Sequence, residues 1–299
     1  MSKALKQQRA YLYALTAVIF WSTIATAFKI GLQHLDVFQL LFVASLISTL
    51  FFSIVLIVNG TIKQVLTQTG LKSVWSSALL GFLNPFLYYV VLIHAYNMIT
   101  AQEAMTLNYI WPMALVLLSI PLLKQRIKPA SFLAMFISFA GIFIIATKGD
   151  ITGFRFSNLT GDLLAAGSSI AWALYWILNL KDRRTPSSKL FLNFLFGSIY
   201  ATIALFIWSD FSGFSTIGLL SGIYLGLFEM GLTFLLWLSA LRYSTKTHLV
   251  SQLAYIAPFM GLIWIWLILH EHIWWSTLIG LVLLITGIVA QQRIERTKK

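Results

Sequence analysis

The sequence predicts an all-α polytopic membrane protein, with ten transmembrane helices built as two inverted five-helix repeats. Three observations predict it: an apolar, charge-poor composition, a succession of ten runs of membrane-spanning length, and an internal repeat that divides those runs five and five.

Of the 299 residues, 59% are hydrophobic and 10% are charged, and mean hydropathy is +0.84. Soluble domains carry about 25% charged residues, so this chain is built for a different solvent. The bilayer core has no water to satisfy a backbone, so only helices or closed barrels span it. Apolar runs of about 20 residues favour helices, because barrel strands are shorter and alternate in polarity. The net charge of +12 raises the question of a nucleic-acid partner. The basic residues punctuate apolar runs and form no basic domain, which argues against one. There are no cysteines, which excludes disulfides, thiol catalysis and cysteine–metal sites.

Taken in order, the apolar runs of the first half are 11–32, 37–58, 74–94, 101–123 and 131–147. Those of the second half are 161–180, 190–208, 217–241, 247–269 and 273–291. Each is bounded by polar or basic punctuation. The first contains Ala25-Thr26-Ala27 after a basic start, the pattern of a signal-peptidase site. The run continues through Phe28 to Leu32 and has a counterpart opening the second half, so it is expected to be retained. No segment between runs is long enough for a separate soluble domain.

Lysine and arginine set the orientation. With the N-terminus in the cytoplasm, 18 of the 21 basic residues fall in cytoplasmic segments, while the opposite loops hold only Lys148 and Arg155. Lys29 lies near the outer end of the first run. This positive-inside bias places both termini in the cytoplasm of a bacterial inner membrane.

Self-comparison reveals the repeat. An offset of 146 pairs Leu107 with Leu253, Tyr109 with Tyr255, Ile110 with Ile256, Pro112 with Pro258 and Gly141 with Gly287. An offset of 145 pairs Gly81 with Gly226 and Ala95 with Ala240, and one of 151 pairs Trp21 with Trp172. The halves are expected at 1–149 and 157–299. Five is odd, so the second half enters the membrane upside down. Inverted repeats mark secondary transporters, whose halves exchange conformations around a midplane site.

The segment Leu253-Ala-Tyr-Ile-Ala-Pro258, running on to Leu269-His-Glu271, resembles the second repeat of the EamA family of the drug/metabolite transporter superfamily. Ala240-Leu-Arg-Tyr243 looks like that family's span-to-span connection. In the first half, Asn108-Tyr-Ile-Trp-Pro112 is similar to the aromatic amino-acid exporter subgroup. The resemblance implies a transporter and an export direction. One departure is Gln125, which stands where the family often has an acid matching Glu271.

The fourth and ninth runs carry the best symmetric signal. Gln102, Thr106, Tyr109 and Pro112 share one helical face, as do their partners His248, Gln252, Tyr255 and Pro258. A midspan proline frees a carbonyl that lipid cannot satisfy, so these faces line a substrate cavity or pack other helices with polar contacts. Asn108 and Trp111 join this candidate substrate site. Glu229 is the deepest acid. A charge at that depth is costly, so such residues face the bundle interior and mark a pathway or relay. Glu229 is therefore the candidate coupling residue, which would make transport proton-coupled; the bland alternative is a neutral hydrogen-bond donor between helices. Its repeat mate Asn84, beside Pro85, joins the candidate substrate site, and Pro85, Pro112 and Pro258 are expected at helix kinks.

Trp75, Trp208, Trp274 and Trp275 lie at run ends and read as interfacial belt residues. Trp21, Trp111, Trp172, Tyr175 and Trp176 lie deeper and offer stacking surfaces for a flat substrate or packing for the bundle. Lys29 and Glu103 pair with other groups, snorkel to the interface, or hold the charged ends of a zwitterion. His270-Glu271-His272 is a weak metal candidate, because consecutive helical residues diverge by about 100°. No phosphate-binding glycine loop or hydrolase motif occurs.

These features predict a secondary transporter of small metabolites such as aromatic amino acids, working by alternating access, with the lipid bilayer and a small-molecule substrate as partners. No metal, cofactor or enzymatic activity is expected. The rivals are a membrane-embedded enzyme acting on lipid-linked substrates, which would need acids and histidines clustered at one membrane face, and a passive channel.

Overall fold

A computed structural model describes residues 3–68, 70–124, 128–150, 158–244, 250 and 253–296. Among them, nine helices are long and apolar enough to cross a membrane. They are α1 (Leu5–Leu32), α2 (Val37–Val58), α3 (Leu71–Met98), α4 (Ala101–Leu122), α5 (Pro129–Ala146), α6 (Leu159–Asn179), α7 (Pro186–Trp208) and α8 (Thr216–Tyr243), with α10 at Trp275–Glu295. The ninth in chain order, α9 (Leu253–Leu269), is a shorter apolar helix. Residues 245–249 and 251–252 before it lie outside the described ones.

Local chemistry sets the helix starts. Asp36 caps α2 and shares a capping box with Gln39, and Thr100 and Glu103 form the same arrangement on α4. Such boxes satisfy two backbone donors reciprocally at an end where helical partners are missing. Asn158, Thr185 and Ser215 cap α6, α7 and α8. A short helix, Ile62–Gln68, bridges α2 and α3.

The two halves interlock. α1 packs on α8 and α9, while α6, its counterpart, packs on α3 and α4. α2 packs on α7 and α5 on α10, each against its own counterpart. The first helix of each half is thus donated to the other half, so neither half completes its packing alone.

Lipid supplies no hydrophobic drive for helix association, so close approach at small residues matters. A Cβ on Gly81 would collide with the carbonyl oxygen of Asn193, and one on Gly226 would lie 2.6 Å from that of Ala44. These contacts are counterparts: α3 against α7, and α8 against α2. Similarly, Gly141 abuts Gly280 across α5 and α10, and Gly287 abuts Ala134. On α1, Ala10, Ala14 and Ala17 form a small-residue face that packs against Trp237 and Ala240 of α8.

Candidate functional site

Four of the helices that carry the site, α3, α4, α8 and α9, depart from regular α geometry. α3 contains a π segment at Phe82–Leu87, and α8 contains one at Leu225–Gly231. Widened turns of this kind occur often at functional sites, because they re-aim side chains and free a carbonyl. Ser48 of α2 donates to the Gly226 carbonyl at 2.7 Å and so satisfies one such group. α4 is interrupted after Asn108 and resumes at Trp111, while α9 opens as a 3₁₀ turn at Leu253–Ile256 before its α segment begins at Ala257. Pro112 and Pro258 both sit in the first turn of the resumed helix, where a missing N–H costs nothing. Each resumed helix is followed by a left-handed residue, Lys124 at φ 54° and His270 at φ 53°. The matched interruptions and endings repeat the offset of 146 seen in the sequence.

Between α1, α3, α4, α6, α8, α9 and α10 lies a cavity of about 360 Å³. Its walls are aromatic. Trp21 of α1 stands 5.0 Å from Trp237 of α8 on one side, and Tyr88 of α3 stands 4.7 Å from Trp172 of α6 on the other. Trp21 and Trp172 are the pair matched by the internal repeat. Trp176 continues the second wall, 5.7 Å from Trp172.

Glu229 lines this cavity from the π segment of α8. It is 5% exposed. Its Oε1 accepts a hydrogen bond from Tyr89 at 2.9 Å, whereas Oε2 has no hydrogen-bond partner. The Trp21 indole lies close enough to influence the carboxyl but makes no hydrogen bond of ordinary geometry. Asn108 accepts from Tyr88 at 3.2 Å and donates to Ser168 at 2.8 Å. Tyr109 donates to the Ala254 carbonyl at 3.4 Å, and Gln292 donates to the Tyr255 hydroxyl.

The two ends of the cavity differ in the exposure of their lining residues. Toward the end that carries both termini, Val116, Leu241 and Gln292 are half-buried. Toward the other end, Phe28, Tyr96 and Met105 are buried, and Phe28 stacks on Tyr96 at 5.1 Å. Beyond that plug lies a polar recess lined by Lys29, Glu103, Lys148 and Glu271, among others. Lys29 donates to the Ile99 carbonyl at 2.6 Å, and Lys148 pairs with Glu103 at 3.4 Å. Glu271 accepts from the backbone of Ala101 at 2.9 Å and of Gln102 at 3.4 Å, which caps α4 from the α9–α10 connection. A carboxylate there also matches the positive end of the helix dipole. Glu271 is thus engaged with α4, and its neighbours His270 and His272 stand outside any helix.

Of the residues singled out from the sequence, Trp21, Asn108, Tyr109, Trp111, Pro112, Trp172, Trp176, Glu229 and Tyr255 line the cavity. Gln102 and Thr106 stand outside it. The Gln102 side chain holds the α9–α10 connection through the His272 carbonyl, the Trp274 backbone and the Thr277 hydroxyl. Thr106 bonds back to the Gln102 carbonyl at 2.5 Å. The interruption after Asn108 separates these two from Tyr109 and Pro112, so the face expected to be continuous is divided. Asn84 is buried in the π segment of α3 with both side-chain polar atoms unpartnered, and Pro85 beside it packs against Gly197 of α7. Tyr175 is buried and accepts from Asn193 at 3.3 Å, away from the cavity. His248 and Gln252 lie outside the described residues, as does Gln125.

Sequence reasoning missed Tyr88, Tyr89, Tyr96, Phe28 and Trp237. A helical-period signal was present: Tyr88, Leu92 and Tyr96 recur every four residues on α3, and Trp21, Ala25 and Phe28 share one face of α1. Which face turns inward depends on the rotation of each helix, and no local pattern states that.

Comparison with known proteins agrees with this architecture. A model described as the EamA-like transporter family matches residues 8–147 and again 159–290. An uncharacterized transporter of Archaeoglobus fulgidus is 28% identical over 93% of this chain and 94% of its own length. An uncharacterized transporter of Clostridium kluyveri is 25% identical over 94% and 92%. The aromatic amino acid exporter YddG of Ancylobacter novellus is 24% identical over 86% and 88%. A solved crystal structure superposes on 97% of this chain and 99% of its own, with TM-score 0.70 and 21% identity, which speaks for the fold alone.

Proposed function

The chain belongs to the EamA-like transporter family, and we propose that it is a secondary transporter of the bacterial inner membrane that exports small polar or aromatic metabolites by alternating access. The observation that carries this reading is the aromatic cavity at the middle of the bundle, half-buried toward one end and plugged toward the other. Its volume of about 360 Å³ suits a small metabolite, within the range of pockets that enclose one.

Residues 1–149 and 157–299 act as two halves of opposite orientation, since each holds five spans. The positive-inside bias puts both termini, and therefore the half-buried mouth, in the cytoplasm. The polar recess of Lys29, Glu103, Lys148 and Glu271 then closes the outer side, and exchange of conformation between the halves would open it. Aromatic amino acids are the substrate class suggested by the exporter of Ancylobacter novellus. Asn108, Tyr109, Trp111, Trp172, Trp176 and Tyr255 contact substrate, and Glu229 couples proton movement to it. A passive channel fits less well, because the outer end of the cavity is plugged by stacked Phe28 and Tyr96.

Counterflow in proteoliposomes tests the reading. Vesicles preloaded with unlabelled amino acids should accumulate labelled ones transiently above equilibrium, more strongly with a pH gradient. Entry that only equilibrates, without overshoot for any compound, would support a channel.

A further inference from the structure

We propose that the cavity selects aromatic amines over the corresponding amino acids: its substrate carries an ammonium group and no carboxylate. This rests on the transporter reading and, among its small aromatic metabolites, sets amines above the amino acids suggested by the exporter of Ancylobacter novellus. Among the described residues that line the cavity, Glu229 is the only carboxylate, and there is no lysine, arginine or histidine. A zwitterion would bring its carboxylate into the same enclosure as Glu229 with no cationic side chain among the described lining residues to receive it, and burying an unpaired charge is costly.

Two lysines of the outer recess are committed elsewhere. Lys29 is bonded to the Ile99 carbonyl, and Lys148 is paired with Glu103. Both line the polar recess beyond the Phe28–Tyr96 stack and do not line the cavity. In contrast, a receptor for an ammonium group is present. Glu229 is buried, one of its oxygens is held by Tyr89, and Oε2 is left with no hydrogen-bond partner. The rings of Trp21, Trp237, Tyr88 and Trp172 line the same cavity. Aromatic faces carry negative electrostatic potential and attract cations, most strongly where water is excluded. The same rings accept an aromatic body by offset or edge contacts.

Three compounds that share one phenylethyl body separate the charges: 2-phenylethylamine, phenylalanine and 3-phenylpropionate. Their competition against labelled 2-phenylethylamine is measured on the purified full chain in detergent. The amine should bind at least about tenfold tighter than phenylalanine, with 3-phenylpropionate weaker still. Glu229→Gln should weaken amine binding by about tenfold or more, and Glu229→Asp should restore part of it. If Glu229→Gln does not purify as a folded protein, the ranking on the parent chain decides alone. Equal or tighter binding of phenylalanine, or no binding of any of the three, overturns the proposal. Counterflow of the same compounds keeps the two readings apart. Phenylalanine exchanged in preference to the amine overturns amine selection and leaves transport standing. Amine-selective binding without counterflow leaves selection standing and removes transport.

Discussion

Tyr89 donates its hydroxyl to Glu229 across 2.9 Å, joining the third helix of one half to the third helix of the other, inside the cavity region. The bond fixes one carboxyl oxygen and leaves the second free. Tyr89→Phe keeps the ring and removes the donor. Leaving a buried acceptor unsatisfied costs about 1–3 kcal/mol, so the variant should unfold at a lower temperature in detergent and bind substrate more weakly. Unchanged melting and affinity would mean that Glu229 needs no fixing partner.

The coupling role proposed for Glu229 is separable from packing. The membrane potential supplies about 2.3 kcal/mol per charge per 100 mV, equivalent to a roughly fifty-fold concentration gradient. Glu229→Gln keeps the shape and removes the titration. At saturating substrate it should retain exchange but lose dependence on the pH gradient. Exchange that still follows the gradient would move coupling to another residue.

Topology can be read in a chain that has no cysteine of its own. Single cysteines at Asp150 and Ser212, both exposed, should react with an impermeant maleimide from outside the cell. Those at Thr185, also exposed, and at Thr297 should react only after permeabilisation. Labelling of Thr185 from outside would reverse the second half and end the case for inversion.

Gly141 and Gly287 should behave alike. Alanine would gain about 1 kcal/mol of helix propensity at each. At Gly287, however, its Cβ would lie 2.6 Å from the Ala134 carbonyl, and at Gly141 it would lie 2.8 Å from the Leu284 nitrogen. Backbone atoms yield little, and overpacking costs about 1–3 kcal/mol, so both variants should be destabilised by similar amounts in thermal unfolding. A strong asymmetry would show that the α5–α10 contact is not shared equally by the halves.

Tyr109→Ala and Tyr255→Ala each remove an aromatic ring from the cavity lining. A loss of about 0.5–1.5 kcal/mol in aromatic contact corresponds to a roughly two- to twelvefold weaker apparent affinity. Ile120→Ala and Ile263→Ala, at exposed positions on the same two helices, should leave affinity unchanged. Equal effects at all four positions would reduce both tyrosines to a packing role.

The sequence by itself determined the number of spans, their approximate ends and their division into halves. Val58 and Trp208 end α2 and α7 where the apolar runs end, because compatibility with lipid and helical periodicity are properties of a short stretch of chain. The pairing of Tyr109 with Tyr255, and of Pro112 with Pro258, was equally legible, since repetition needs no contacts to be seen. Only the tertiary structure decided which faces meet. Gln102 and Tyr109 sit seven positions apart on what reads as one stripe, yet the interruption after Asn108 turns one into a helix-end anchor and the other into a cavity wall. Tyr89 reaches Glu229 across 140 residues of chain, and α1 completes the other half's bundle. Such relations depend on how each helix is rotated about its axis. That rotation is set where glycines such as Gly81 and Gly226 let backbones touch, so it belongs to pairs of helices and to no single one.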